Sequence, residues 1–291
     1  MGTQFKTSIN EDKCIQCRLC FIECPSKTGS NNDIRSNRNS EKCDGCLHCY
    51  SICPESAIEI EGYSEDVNQC NIGVAYNDLL NFLKLRRSIR KYKPDLVPDS
   101  ILNQLTESAK YIPSGGNAQE LSITIIKNTE LRSRLESEII QYYDRIVKLL
   151  KNPLIRFLMK FSGDPKVKAT AKDKNFFEKI KDIYDRLKNG GRDIFYDAPV
   201  IMIFHTSRLL PTAYEDSLLA AYHVMLSAHS HKLGTCFVSL SQQAIAASKK
   251  IKKLIHVPPE DFIYAVIILG FPAVKYRRNP PRIEKNINLI K

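Results

Sequence analysis

Two stretches, CIQCRLCFIECP at residues 14–25 and CDGCLHCYSICP at residues 43–54, repeat one pattern and contain eight of the chain's ten cysteines. Each reads C-x2-C-x2-C-x3-C-P. Three thiolates at that spacing wrap one side of a cubane iron-sulfur cluster within a tight turn, and the fourth must come from elsewhere. Structural zinc uses paired C-x2-C knuckles with four ligands per ion, which leaves the third cysteine of each run unexplained. A disulfide framework needs an oxidising compartment, and the first residues, with apolar side chains scattered among charges and cysteines, do not read as a signal peptide. Lys6 stands where a myristoylation signal has Ser or Thr. No run approaches the roughly 18 apolar residues of a membrane span. The expected location is cytoplasmic, without membrane association.

The repeat resembles a bacterial-type ferredoxin domain with two 4Fe-4S clusters. In that arrangement the last cysteine of each run ligates the other cluster. The resemblance therefore implies Cys14, Cys17, Cys20 and Cys53 for one cluster, and Cys43, Cys46, Cys49 and Cys24 for the other. Ser26 to Ser40 reads as a polar surface loop. Ala57 to Glu61 reads as a short strand pairing with Phe5 to Ile9 across the clusters. The unit is expected to span residues 1–71, with Cys70 a plain thiol outside both runs.

The remaining residues, 72–291, leave room for a second domain. The net charge of +11 is uneven: −4 over residues 1–71 and +8 over residues 140–192. Such a basic balance raises nucleic acid as a partner, but no nucleic-acid motif accompanies it, and none is expected. Helical spacing begins at Leu79, Leu80 and Leu83 with Asn77 or Asp78 as cap, and leads into Arg86-Arg87-Ser88-Ile89-Arg90-Lys91-Tyr92. Cations and a hydroxyl so closely spaced suit a phosphate, although such a run taken alone is more often a solvated face. A helix capped at Val97-Pro98-Asp99 follows. Then come Pro113-Ser114-Gly115-Gly116-Asn117-Ala118-Gln119, a strand Leu121 to Ile126, Asp197-Ala198-Pro199 opening the strand Ile201 to Phe204, a helix Asp216 to His231, Leu233-Gly234-Thr235-Cys236, and Gly270-Phe271-Pro272.

In this order and spacing, residues 75–282 resemble the FMN-dependent nitroreductase family. The resemblance implies an α+β fold, a small ferredoxin-like domain followed by a mixed sheet with flanking helices, and a homodimer with FMN at the subunit interface. Arg86, Ser88 and Arg90, with Arg87 adjacent, would hold the FMN phosphate and ribityl chain. Pro113, Ser114, Gly115 and Asn117 would lie along the isoalloxazine from the second subunit, with Gln119 supporting the turn. Gly234 and Thr235 would line the flavin edge. Arg277 and Arg278 would complete the phosphate site, with Lys275 and Arg282 as further candidates. His205, His223, His229 and His231 read as structural or surface histidines, and Cys236 as a core residue.

Residues 140–192 carry an apolar stripe beside a basic one. They read as a helical insertion: a lid or dimer arm, a dock for an acidic electron donor, or an interfacial helix. The function expected is a flavin oxidoreductase in which two clusters relay single electrons to FMN, which reduces a nitroaromatic, quinone, enone or similar acceptor; no protein nucleophile is needed. The reverse flow, and an electron shuttle with no substrate, are the alternatives. Gly115-Gly116 and Gly190-Gly191 lack the spacing of a dinucleotide fold. The donor expected is ferredoxin or flavodoxin, with NAD(P)H binding directly over the flavin as the other route.

Overall fold

The computed structural model describes residues 6–26, 43, 45–61, 73–163, 165–173, 175–188 and 194–290. The polar loop after Ser26, Cys70 and Gly190-Gly191 lie outside the described residues. At the N-terminus, β1 (Thr7–Ile9) pairs antiparallel with β2 (Ile58–Ile60), Thr7 opposite Ile60 and Ile9 opposite Ile58. This is the pairing expected from the sequence. Between these strands lie two short helices, α1 (Leu19–Ile22) and α2 (His48–Ile52), one inside each cysteine run, packed against each other.

The second unit opens with α3 (Tyr76–Leu85) and α4 (Asp99–Ala109), followed by a single 3-10 turn at Gly115–Asn117. The first of these helices starts slightly earlier than the sequence suggests, and the second starts at the capping stretch expected. Ala75 rather than Asn77 stands at the N-cap of α3, and Pro98 at that of α4, leaving Asp78 and Asp99 in the first turns where they meet the positive helix end. Then come β3 (Ser122–Ile126), α5 (Thr129–Lys151), α6 (Pro153–Met159), α7 (Pro165–Lys172), α8 (Phe176–Lys188), β4 (Val200–Ser207), α9 (Ala213–Ser230), β5 (Gly234–Phe237), α10 (Ser239–Ala247), α11 (Lys249–Leu254) and β6 (Asp261–Gly270).

The four strands form one antiparallel sheet in the order β3-β4-β6-β5. A parallel bridge from Ser88 to Thr235 on β5 makes the sheet mixed. The central strands β4 and β6 are buried on both faces, as their near-continuous apolar sequences dictate. On one face, Ile201, Ile203, Val266 and Ile268 pack with Leu135, Ile139 and Tyr143 of α5 and with Ile245 and Ile251. On the other, Met202, Phe204, Ala265 and Ile267 pack with Leu102 and Leu105 of α4 and Ala220, Val224 and Met225 of α9. The result is three layers, helix on sheet on helix.

The stripe read across residues 140–192 divides in the structure. Tyr143, Val147 and Leu150 are buried in α5, while Leu154, Phe157, Leu158 and Phe161 stand exposed on and just after α6. α8 is tied back to α5 by the Tyr184 hydroxyl, which donates to Asp144 at 2.7 Å. Among the described residues no helix is long and apolar enough to cross a membrane.

Candidate functional site

The two cysteine runs fold alike. Gln16 and Gly45, one residue before the second cysteine of each run, have φ of 57° and 66°. Arg18 and Leu47, one residue after it, have φ of 64° and 61°. Left-handed residues alternating with ordinary ones turn successive backbone N–H groups into one concavity, a shape that receives an anion. Three of the four are not glycine, so the conformation carries strain that the surrounding structure must offset.

Cys14, Cys17, Cys20 and Cys53 line a single cavity with Ile9, Ile15, Pro54 and Ile58. The Ala57 N–H donates to the Cys53 sulfur at 3.2 Å. The donor set and the anion-receiving backbone fit a thiolate-ligated cluster. Of Cys43, Cys46, Cys49 and Cys24, Cys49 lies within α2 and Cys24 just after α1, and these two helices pack against each other. None of the nine described cysteines is in a disulfide. Among the described residues no three His, Cys, Asp or Glu side chains could hold a single metal ion.

The basic segment Arg86 to Tyr92 runs along the end of β5. The Ile89 N–H donates to the Thr235 carbonyl at 2.9 Å, and the Lys93 N–H to that of Phe271 at 2.8 Å. Gly234 is required by this crossing, since a Cβ there would stand 2.5 to 2.8 Å from three Ile89 side-chain atoms. A cleft of about 710 Å³ opens beside the segment, lined by Ser88, Arg90, Lys91, Tyr92, Tyr196, Asp197, Lys275 and Tyr276 among others. Arg87 turns away from it. Its guanidinium donates to the carbonyls of Lys84 and Arg86, each at 2.6 Å, and to the Asn279 side chain at 3.2 Å.

Desolvation, followed by the cations Arg282 and Arg86, holds the Arg87 pKa below its usual value. Among the described residues Arg86, Arg87 and Arg90 pair with no carboxylate, and Arg86 and Arg87 stand close enough for their charges to repel. Arg277 and Arg278 are exposed, and the cleft wall is supplied by Lys275 and Tyr276. Cys236 is buried, as expected, with its thiol pKa raised by desolvation and opposed by Arg90 and by hydrogen bonds from Ser88 and Arg90.

The Pro113 to Gln119 turn is braced from several sides. The Gly115 N–H donates to Thr212 Oγ1 at 3.1 Å, and that hydroxyl donates to Asp216 at 3.0 Å. Gly116 and Asn117 have φ of 59° and 53°. Gln119 donates to Asn117 Oδ1 at 2.8 Å and so fixes the Asn117 amide, which donates from Nδ2 to the Gly45 carbonyl at 2.9 Å. Gly45 lies between Cys43 and Cys46, so this hydrogen bond joins the second cysteine run to the turn.

Within one chain the basic segment and the turn are far apart. The turn contacts Thr212 at the N-terminus of α9, whereas α3, capped at its C-terminal end by Arg86, contacts the C-terminus of α9 through Phe82, whose ring lies tilted against that of His229. The 18 residues of α9 span about 27 Å. The two groups also occupy opposite ends of β6: Ser207, near the turn, opposes Asp261, and Thr235, beside Ser88, opposes Leu269. A ribityl arm is far shorter than this separation.

One network was missed from the sequence. Buried His205 is 2.7 Å from Asp261 Oδ2 through Nδ1 and 3.0 Å from Thr124 Oγ1 through Nε2, across three adjacent strands.

The nitroreductase family model matches residues 83–271, and a 4Fe-4S dicluster domain model matches residues 6–54. A Methanothermobacter thermautotrophicus protein provisionally named NADH dehydrogenase/NAD(P)H nitroreductase is 22% identical over 204 residues, 69% of this chain and 80% of that protein. Among solved structures, a nitroreductase with bound FMN from Desulfitobacterium hafniense superposes with a TM-score of 0.54 at 20% identity, covering 75% of this chain and 100% of that one. One from Bacteroides fragilis, also with bound FMN, gives 0.52 at 19% identity, covering 74% and 100%.

Proposed function

The chain belongs to the nitroreductase family and carries a 4Fe-4S dicluster domain ahead of it, and from that premise we propose an FMN-dependent oxidoreductase whose two clusters relay single electrons to the flavin for reduction of an organic acceptor. When bound, the clusters carry one electron at a time, and FMN collects two and delivers a hydride equivalent. The acceptor class is a nitroaromatic, quinone, enone or similar flat molecule.

The protein's own part is to hold and position. Arg86, Ser88 and Arg90 take the phosphate and ribityl chain, with Lys275 and Tyr276 closing the cleft and Arg87 anchoring the C-terminal segment behind them. Pro113, Ser114, Gly115 and Asn117 lie along the ring, where Gly116 leaves open space for close backbone approach and Gly115 makes room for Thr212. Because the basic segment and the turn stand at opposite ends of one chain, a complete site takes one group from each of two chains, which supports a homodimer.

The observation that carries the reading is the hydrogen bond from Asn117 to the Gly45 carbonyl, because it seats a cluster-binding loop on the flavin turn. The external donor is a low-potential one-electron protein, ferredoxin or flavodoxin. The name of the Methanothermobacter relative favours a second reading, in which NAD(P)H reduces the flavin directly.

Anaerobic spectral titration of the purified holoprotein separates them. Reduced ferredoxin is expected to bleach the cluster and flavin bands together while NADH and NADPH leave both unchanged. Flavin bleaching by a pyridine nucleotide ahead of the clusters selects the second reading. A preparation that binds neither flavin nor iron overturns both.

A further inference from the structure

We infer that electron delivery crosses between subunits: the second cysteine run of one chain serves the flavin whose phosphate is held by the arginines of the other. The inference rests on the flavin site proposed above, and its geometry comes from two facts. Gly45, inside the run Cys43 to Cys53, accepts the Asn117 hydrogen bond at 2.9 Å, which makes this run the one nearest the flavin turn. The same chain's Arg86, Ser88 and Arg90 lie beyond the far end of α9, about 27 Å away along its 18 residues. A flavin anchored by a chain's own arginines is therefore remote from that chain's own clusters. The ring of a flavin that reaches this turn belongs to a phosphate held on the second copy. The first run faces outward: Cys17 is exposed and Ile15 beside it is 62% exposed.

Each transfer oxidises a reduced cluster by one electron and reduces the flavin by one. Two transfers, with protons taken from water, complete the two-electron reduction, and the external one-electron donor restores the clusters.

Two heterodimers, made by co-expressing differently tagged chains and loaded anaerobically, test the wiring. In the first, one chain carries Cys43→Ser and Cys49→Ser and the other Arg86→Ala, Ser88→Ala and Arg90→Ala. In the second, all five substitutions sit on one chain and the other is unchanged. Both keep one arginine set and one second cysteine run, so flavin content, iron content and folding losses match, and only the pairing differs. After mixing with reduced ferredoxin, stopped-flow bleaching of the flavin band should be retained in the first heterodimer. In the second it should be roughly a hundredfold slower, since rates between fixed groups fall steeply when their positions are wrong. The opposite order, or equal rates, overturns the crossed wiring while leaving the flavin site standing. Unmodified protein that binds no flavin, or remains monomeric when loaded, overturns the wiring together with the site on which it rests.

Discussion

The Arg87 guanidinium donates to the Asn279 side-chain oxygen at 3.2 Å while also donating to the carbonyls of Lys84 and Arg86 at 2.6 Å, so one side chain ties the end of α3 to the C-terminal segment. Orphan carbonyls at a helix C-terminus are favourable partners for a cation. Arg87 thus holds the wall of the cleft, whereas Arg90 lines it. Arg87→Ala is expected to lower unfolding free energy by about 1 kcal/mol, one charged hydrogen-bonding group at a half-exposed site. It should weaken FMN binding less than Arg90→Ala does. Thermal melts and flavin titrations of the two variants check this, and a greater loss of flavin from Arg87→Ala would contradict the division of roles.

Gly234 offers a steric test of the same crossing. Its added Cβ would press on the β-branched Ile89 side chain, with the nearest atoms at 2.5 and 2.6 Å, and Ile89 cannot rotate out of the way freely. Gly234→Ala is expected to cost roughly 1–3 kcal/mol through overpacking, and to loosen flavin by displacing Ser88 from Thr235. Adding Ile89→Ala should recover part of the flavin affinity. A single variant with unchanged melting and flavin affinity would show that the strands separate at no cost.

The clusters were legible in the sequence because ligand spacing is a short-range constraint. The backbone that carries them was not. Of Gln16, Arg18, Gly45 and Leu47, all with positive φ, only the glycine announces its conformation. The basic segment was legible through its charge density. Which residues of the C-terminal segment face the cleft was not, because an extended chain there shows no periodicity to separate Lys275 and Tyr276 from Arg277 and Arg278. His205 illustrates a longer-range limit: its partners Thr124 and Asp261 lie 81 and 56 residues away, and only sheet register brings them together.

That network makes its own prediction. Asp261→Ala leaves the His205 Nδ1 position without its acceptor at a site where His205 is 4% exposed. A buried donor without a partner costs roughly 1–3 kcal/mol. The variant should melt earlier while retaining iron and most of its flavin, because the network lies outside the cleft and reaches the Pro113 to Gln119 turn only through the neighbouring strand residues. Loss of flavin in step with the fall in melting temperature would mean that this corner of the sheet also supports the site.

His229 connects pH to the proposed phosphate site. Burial, followed by the fields of Arg86 and Arg87, holds its pKa below the ordinary value of 6.5. A depressed folded-state pKa means that the unfolded chain binds the proton more readily. In the flavin-free protein this contribution to stability is therefore complete above about pH 6.5 and is lost as pH falls through the folded-state value. His229→Gln should remove that part of the acid loss. Inorganic phosphate, by offsetting Arg86 and Arg87, should raise the His229 pKa, and an NMR titration of the imidazole with and without phosphate measures the movement. An unmoved titration would place the anion elsewhere.

The crossing of ligands between the two cysteine runs can be read directly from iron content. Cys14, Cys17 and Cys20 share their cavity with Cys53 of the other run, whose sulfur accepts from the Ala57 N–H at 3.2 Å. By the repeat, Cys24 completes the set of Cys43, Cys46 and Cys49. Cys53→Ser should therefore damage the cluster of the first run, and Cys24→Ser that of the second, each with loss of up to about four of eight irons. The variants should then differ in behaviour. With the ligand set Cys43, Cys46, Cys49 and Cys24 intact and the Gly45 carbonyl still held by Asn117, the Cys53→Ser protein keeps a route to the flavin for a small chemical reductant. Cys24→Ser damages the cluster nearest the turn, so flavin reduction by ferredoxin should slow while direct chemical reduction persists. Iron analysis, electron paramagnetic resonance and flavin bleaching on the same samples resolve the outcomes. Loss of the second-run signal in Cys53→Ser would show that each run ligates its own cluster, contrary to the shared cavity.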